Sequence, residues 1–272
     1  MSRNSGLDQA EGLRRILGAG SARYISFVSA ISPTQKNSFL LNMATALVSK
    51  GNDLHLLDAT QNTNGISSVS PLIKTCLSDL NEENLDNNSA LIEYSKGIHI
   101  CKLTNQPIKE LTNNDSFVKK ISTTLTALKP DARICLVDTD LEYDCPFVLP
   151  ELTNSDVVVL ATTTAESIKS AYLQIKALHN QLGKRSYYVL ILGTSPTKAK
   201  LIHQNMSQAA KLYLAVPLIS LGSIPNDEYL SRATQLGKNV VEAYPTAASA
   251  VAFREIASKL ADNTHSISAS TG

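Results

Sequence analysis

Residues Tyr24–Leu47 read YISFVSAISPTQKNSFLLNMATAL: an apolar run, a polar turn, and a second apolar stretch. Tyr24–Ala30 has the length and the aromatic and β-branched content of a buried strand. Ser38–Lys50 reads as a helix that Gly51 ends. Outward from this unit the alternation continues. Strands are expected at Asp53–Leu57, Gly97–Lys102, Ile134–Val137, Val157–Ala161, Tyr187–Leu192 and Leu218–Ile224. Helices are expected at Phe117–Leu128 (stopped by Pro130), Glu166–Leu182, Ala199–Tyr213 and Ala247–Leu260. Residues 60–90 are rich in Asn, Ser and Thr around an apolar segment, Val69–Leu80. The short strands are nearly all apolar, as in a parallel sheet covered on both faces. The expected architecture is therefore α/β: a doubly wound, mostly parallel sheet with helices on both faces, in one domain over residues 21–261.

Two segments flank that domain. In residues 1–20, Leu7, Ala10, Leu13, Ile16 and Leu17 repeat at helical spacing, Asp8 and Glu11 form a capping-box pattern, and Gly18 and Gly20 end the run. Such a helix either packs on the domain or presents its stripe to a partner. The polar tail, residues 262–272, is expected to be disordered.

Composition narrows the function. A chain of 272 residues with 43% hydrophobic and 18% charged residues can bury an ordinary core. A net charge of +1 gives no basic surface for nucleic acid. No run is long enough to span a bilayer, no signal-peptide core is present, and the tail after Leu260 has little apolar content. A cytoplasmic protein without autonomous membrane binding is expected. Cys76, Cys101, Cys135 and Cys145 form no CxxC pair, and the five histidines show no metal-ligand spacing, so buried thiols and no metal site are expected.

In doubly wound sheets ligands bind beyond the carboxyl ends of the strands, so the turn after the first strand carries the chemistry. It runs from Ser29 to Ser38 and contains no glycine. A working phosphate loop needs glycines for close backbone approach, a lysine against the phosphates, and a hydroxyl on Mg²⁺. Here Pro33 removes an N–H donor, Asn37 stands where the hydroxyl belongs, and Lys36 alone fits. Read by itself, a lysine at a helix start is a solvated cation. Asp58 and Asp138 end two expected strands; each could hold Mg²⁺ or cap a turn, and spacing alone leaves both open.

These segments resemble the MinD/ParA-type superfamily with its deviant Walker A loop, and within it the FlhG/FleN branch of flagellar-number regulators. Asp8-Gln9-Ala10-Glu11-Gly12-Leu13-Arg14 matches that branch's DQAxxLR motif. Asn42-Met43-Ala44 matches the superfamily's NLA stretch, Leu56–Ala59 its LLDAD, and Leu136–Thr139 its VVDT. Gly222–Asp227, with Pro225, resembles the GxIPxD segment beside the adenine, and Glu242–Pro245 the closing EAFP segment. Against the KGGVGKT loop this chain departs: Ile31 replaces the signature lysine, Ser32, Pro33 and Gln35 the glycines, and Asn37 the threonine. Thr60 replaces the second Asp of DAD, and Leu192 falls near the adenine-reading Asn.

The resemblance implies a nucleotide site at Lys36, Asn37, Asp58, Asp138 and Pro225 that is vestigial. A degenerate ATPase is expected, not an enzyme, with no cofactor unless ATP and Mg²⁺ still bind. It also implies a partner-binding helix in which Asp8, Gln9, Ala10, Leu13 and Arg14 dock on an FlhF-type GTPase. Gln9 would point towards the GTPase site. Flagellar switch proteins or a transcriptional regulator are further implied partners. The expected state is a monomer or a nucleotide-independent homodimer. The alternatives are a residual ATP-dependent switch, or a scaffold of another secretion or polysaccharide system that reuses the fold.

Overall fold

A computed structural model describes residues 22–51, 53–61, 63–80, 90–106, 114–127, 133–141 and 149–262. The expected N-terminal helix with Asp8, Gln9, Ala10, Leu13 and Arg14, the tail beyond residue 262, and Cys145 lie outside these residues.

Among the described residues eight strands, numbered in chain order with the ranges given next, form one sheet in the order β3-β4-β2-β5-β1-β6-β7-β8. They are β1 (Arg23–Ser29), β2 (Leu54–Asp58), β3 (Ile92–Ser95), β4 (Ile98–Lys102), β5 (Ile134–Asp138), β6 (Asp156–Ala161), β7 (Tyr187–Leu192) and β8 (Leu218–Ile224). All neighbours pair in parallel except β3, which runs antiparallel to β4 as an edge strand. The central strands are apolar on both sides because both faces are covered. One face carries Leu57, Val137, Val159 and Val189 into a core shared with α2 (Asp115–Ala127), α4 (Ala165–Leu182) and α5 (Pro196–Leu214). The other carries Leu56, Leu136, Val158 and Leu190 against α1 (Pro33–Val48) and α8 (Ala248–Asp262). Phe27, Phe39 and Phe253 meet there, with ring centroids 5.4 and 5.7 Å apart along the chain of contacts.

The doubly wound sheet agrees with expectation, and most boundaries fall within a residue or two. Several elements differ or are additional. The first helix starts at Pro33, not Ser38, because Ser32 caps it and proline fits the first helical position, where no N–H is needed. Near the apolar segment Val69–Leu80, for which no element was assigned, stand two 3₁₀ turns, Ile66–Val69 and Leu77–Asp79. β3 was not anticipated: its half-exposed IEYS pattern is too short to show a period. The short helices α3 (Pro150–Thr153), α6 (Glu228–Gln235) and α7 (Val240–Ala243) were also unanticipated. Cys76, Cys101 and Cys135 are buried free thiols, and burial pushes Cys135 up to about 12. No cluster of metal-ligating side chains occurs among the described residues, and none of their helices is long and apolar enough to cross a membrane.

Candidate functional site

β1 runs through the middle of the sheet and delivers the turn Ala30–Ser32 to its carboxyl edge, where α1 begins. A helix start normally leaves backbone donors open to an anion. Here the loop uses them itself. Ser32 Oγ accepts from Gln35 N, while Gln35 Oε1 accepts from Ser32 N, a reciprocal capping box. Pro33 has no N–H to give, and Lys36 N donates to Ser32 O at 3.0 Å.

Lys36 is not the solvated lysine that the loop alone suggests; the residue is 3% exposed. Its Nζ lies 2.5 Å from Asp138 Oδ1 and 3.5 Å from Asp140 Oδ1, and donates to Thr139 O at 2.8 Å. The side chain has turned onto the end of β5. Burial pushes the Asp138 carboxyl above its usual range, against the pull of the Lys36 ammonium beside it.

Asp58 and Asp138 are register partners at the ends of β2 and β5. Each is occupied. Asp58 accepts from Thr60 N at 3.0 Å, Thr60 Oγ1 at 2.7 Å, Ser67 N at 3.0 Å and Ser67 Oγ. Asp138 Oδ2 accepts from Ile66 N at 2.7 Å. Asn37 Nδ2 donates to Asn64 O at 3.0 Å and Gly65 O at 3.3 Å. The segment Asn64–Val69 is thus folded over the strand ends and tied to α1, β2 and β5. Of the two roles left open for Asp58, the geometry displays turn capping. Ser67, Ile66 and Gly65 were not singled out in the sequence, although an Asp followed by a Ser/Thr/Asn-rich run signals side-chain to backbone turns.

Two cavities flank Lys36. One, of about 220 Å³, is polar and lined by Lys36, Asn37, Thr60, Asn64, Asp138 and Asp140 among others. The other, of about 360 Å³, lies between α1, β7, β8, α6 and α8. Its apolar lining is Phe39, Leu192, Ile224, Leu230 and Phe253, and its polar lining is hydroxyls and amides. Ile224 and Asn226, on either side of Pro225, belong to it, and so does Leu192.

Asp227 fixes this second cavity by capping two helices. Its Oδ1 accepts from Leu230 N in α6 at 2.8 Å, and its Oδ2 from Ser249 N in α8 at 2.7 Å. Burial alone would raise its carboxyl, but the N–H groups of Ser249 and Leu230 outweigh that and hold it below the usual carboxylate range. A depressed acid contributes stability above its unfolded pKa of about 3.9 and loses it as pH falls through the lower folded value. Asp227→Asn is expected to cost about 1–2 kcal/mol at pH 7 in urea unfolding. That deficit should shrink below pH 4; an equal deficit at pH 7 and pH 3 would contradict the assignment.

No family model matches the chain. It is 24% identical over 230 residues to the antiactivator FleN of Pseudomonas aeruginosa, over 83% of this chain and 81% of that protein. Solved structures of the same fold include a ParA family ATPase from Chlorobium tepidum, with a TM-score of 0.62 at 15% identity over 87% of this chain and 99% of that one. MinD from Pyrococcus horikoshii with Mg-ADP gives a TM-score of 0.55 at 18% identity over 88% and 96%. A Cyanothece McdA–ATP complex gives 0.58 at 14% identity over 88% and 96%.

Proposed function

We propose that this chain is a FleN-like regulator of the MinD/ParA type that acts by protein binding, with little or no ATP hydrolysis. The observation that carries the second half is the Lys36–Asp138 ion pair. The cation that should meet a phosphate is instead buried on the carboxylate that should sit near Mg²⁺. Phosphoryl transfer relies almost entirely on positioning and charge stabilisation, so a lysine and two carboxylates spent on internal partners leave little to catalyse it. The capped start of α1 occupies the N–H groups of Ser32 and Gln35.

The partner reading rests on different residues. Asp8, Gln9, Ala10, Leu13 and Arg14 make the motif that in the FlhG/FleN branch addresses an FlhF-type GTPase. The name antiactivator adds a second kind of partner, a transcriptional activator. Antiactivation or GTPase stimulation would then proceed without a nucleotide cycle. In this reading the chain has no nucleotide switch, and its amount sets the output.

Two measurements test this. The full chain with Mg-ATP should release phosphate no faster than buffer, and a turnover above about 0.01 per second would overturn the reading of a spent site. Titration of the full chain into an FlhF-type GTPase should raise GTP hydrolysis, and Gln9→Ala should abolish the rise. Unchanged stimulation by Gln9→Ala would remove the assigned docking role.

A further inference from the structure

At the amino edge of the sheet, the end of β3, the turn after α6 and α7 line a trough of about 690 Å³. We infer that this trough holds residues 7–17 of the same chain as a helix, and that the helix is hidden from its partner while it lies there. The masking rests on the partner reading given above; the docking does not.

The trough is apolar along its floor and open to solvent. Leu236 is 58% exposed, and Tyr94, Ala243 and Tyr244 are half-buried beside it. Tyr229, 40% exposed, extends the aromatic surface, with its ring centroid 5.1 Å from that of Tyr244. Apolar side chains grouped on one open surface mark a contact site. The wall is held in place. Asn42 Oδ1 accepts from Val240 N at 2.7 Å, and Asn239 Nδ2 donates to Thr45 Oγ1 at 2.9 Å, so the start of α7 is tied to α1. Lys238 and Glu242 stand exposed along it, and neither makes an ion pair among the described residues.

Residues 7–17 fit this surface in shape, charge and reach. On a helix, Leu7, Ala10, Leu13 and Leu17 fall within an arc of about 120°. Glu11 and Arg14, three residues apart, follow one margin of that arc, which sets Arg14 against Glu242 and Glu11 against Lys238. β1 begins at Arg23 on the amino edge of the sheet, and Ser95, paired with Ile98 at the start of β4, lies on the same edge. β3 is four places from β1 in the sheet, a distance of about 19 Å. Gly18–Ala22 spans about 17 Å when extended, and its glycines let it turn. The trough runs from β3 back towards α1, so it falls within that span. A helix seated there covers Leu13 and Arg14, which the partner would contact.

Trypsin cleavage after Arg15 in the full chain reads the docking. It should be about tenfold faster in Leu236→Glu, which puts a charge on the exposed wall, with the far-ultraviolet circular dichroism retained. Glu242→Arg should speed cleavage in the parent by about threefold, yet slow it when added to Arg14→Glu, because the swapped charges attract again. Equal rates in the parent and Leu236→Glu, or Glu242→Arg acting in the same direction in both backgrounds, overturn the docking and leave the proposed function standing. So does protection that grows with protein concentration from about 1 to 100 μM, the mark of a second copy's segment in the trough. Half-maximal stimulation of an FlhF-type GTPase should need about threefold less Leu236→Glu than parent chain. Equal requirements overturn the masking; stimulation by neither chain overturns the partner reading and leaves the docking to the cleavage rates.

Discussion

Lys36→Met should destabilise the protein by about 3–5 kcal/mol, the usual cost of removing one partner of a buried ion pair. Methionine keeps the length and most of the volume, so little of the loss is a packing defect. The cost arises because Asp138 stays behind, 1% exposed, with Ile66 N as its hydrogen-bond donor. The pH dependence identifies the cause. Burial already raises the Asp138 carboxyl, and the Lys36 ammonium is what opposes that rise. Without the ammonium the folded-state pKa moves further above the unfolded value of about 3.9. An acid with a raised folded pKa retains a proton that the unfolded chain releases, so its carboxylate form costs stability as pH rises. Urea unfolding should therefore find the deficit larger at pH 8 than at pH 5. Lys36→Met/Asp138→Asn should recover most of it, since the neutral amide can still accept from Ile66 N. A single variant within 1 kcal/mol of the parent at pH 8 would show that Lys36 is not the structural cation described. In a phosphate loop whose lysine waits for nucleotide, the same substitution should leave the stability of the empty protein nearly unchanged.

The sequence made Lys36, Asp58 and Asp138 stand out, and the structure does bring them together at the carboxyl edge of β2 and β5. Their positions were legible because strand ends follow from apolar runs: LHLL before Asp58 and ICLV before Asp138 leave the carboxylates nowhere else to be. What those residues touch was not legible. Lys36 finds Thr139 and Asp138 across about a hundred residues of chain, and Asp138 finds Ile66 from a different loop. Spacing along one helix or strand carries no signal for such contacts. The start of α1 was misplaced for a related reason. Thr34, Gln35, Lys36 and Asn37 break the apolar period, yet Ser32 followed by Pro33 and Gln35 is a capping pattern that signals a helix start. α6 was hidden because its apolar positions are few: Leu230 and Ala233 face inward, while Tyr229 and Leu236 are 40% and 58% exposed. Its cap, Asp227, was visible only as part of a family resemblance, although Asp before a run of helix formers is itself a start signal. The apolar cavity beside Phe253 was legible only through the resemblance, which placed Leu192 and the segment around Pro225 near it; spacing carries no signal for walls drawn from α1, β7, β8, α6, α8 and the turn after β6.

Gly65→Ala should cost about 2–3 kcal/mol, and the cost should be steric rather than conformational. The Gly65 backbone, at φ −66° and ψ 178°, is one that alanine adopts without strain. A methyl group there, however, would overlap both carboxylate oxygens of Asp58 and the hydroxyl of Thr60. Neither neighbour can retreat easily. Asp58 is fully buried and held by donors from Thr60 and Ser67, and moving it strands those groups. The expected response is that Asn64–Val69 lifts from the strand ends and releases the bonds from Ile66 N and Ser67 N. Hydrogen exchange should then speed up selectively at Ile66 and Ser67, while the amides of β1, β6 and β7 keep their protection. Gly51→Ala is the matched control. Gly51 has φ +84° with open space around its Cβ position, so that substitution should cost about 1–2 kcal/mol from the left-handed backbone alone and leave exchange in Asn64–Val69 unchanged. If Gly65→Ala is as stable as the parent, the close approach of Gly65 to Asp58 is not maintained in solution, and the segment does not latch the phosphate region. If it destabilises but exchange rises uniformly over the sheet, the segment is part of the global core and not a separable latch. Selective release, with the sheet intact, would identify Asn64–Val69 as a separable segment that Asp58 and Asp138 hold on the strand ends.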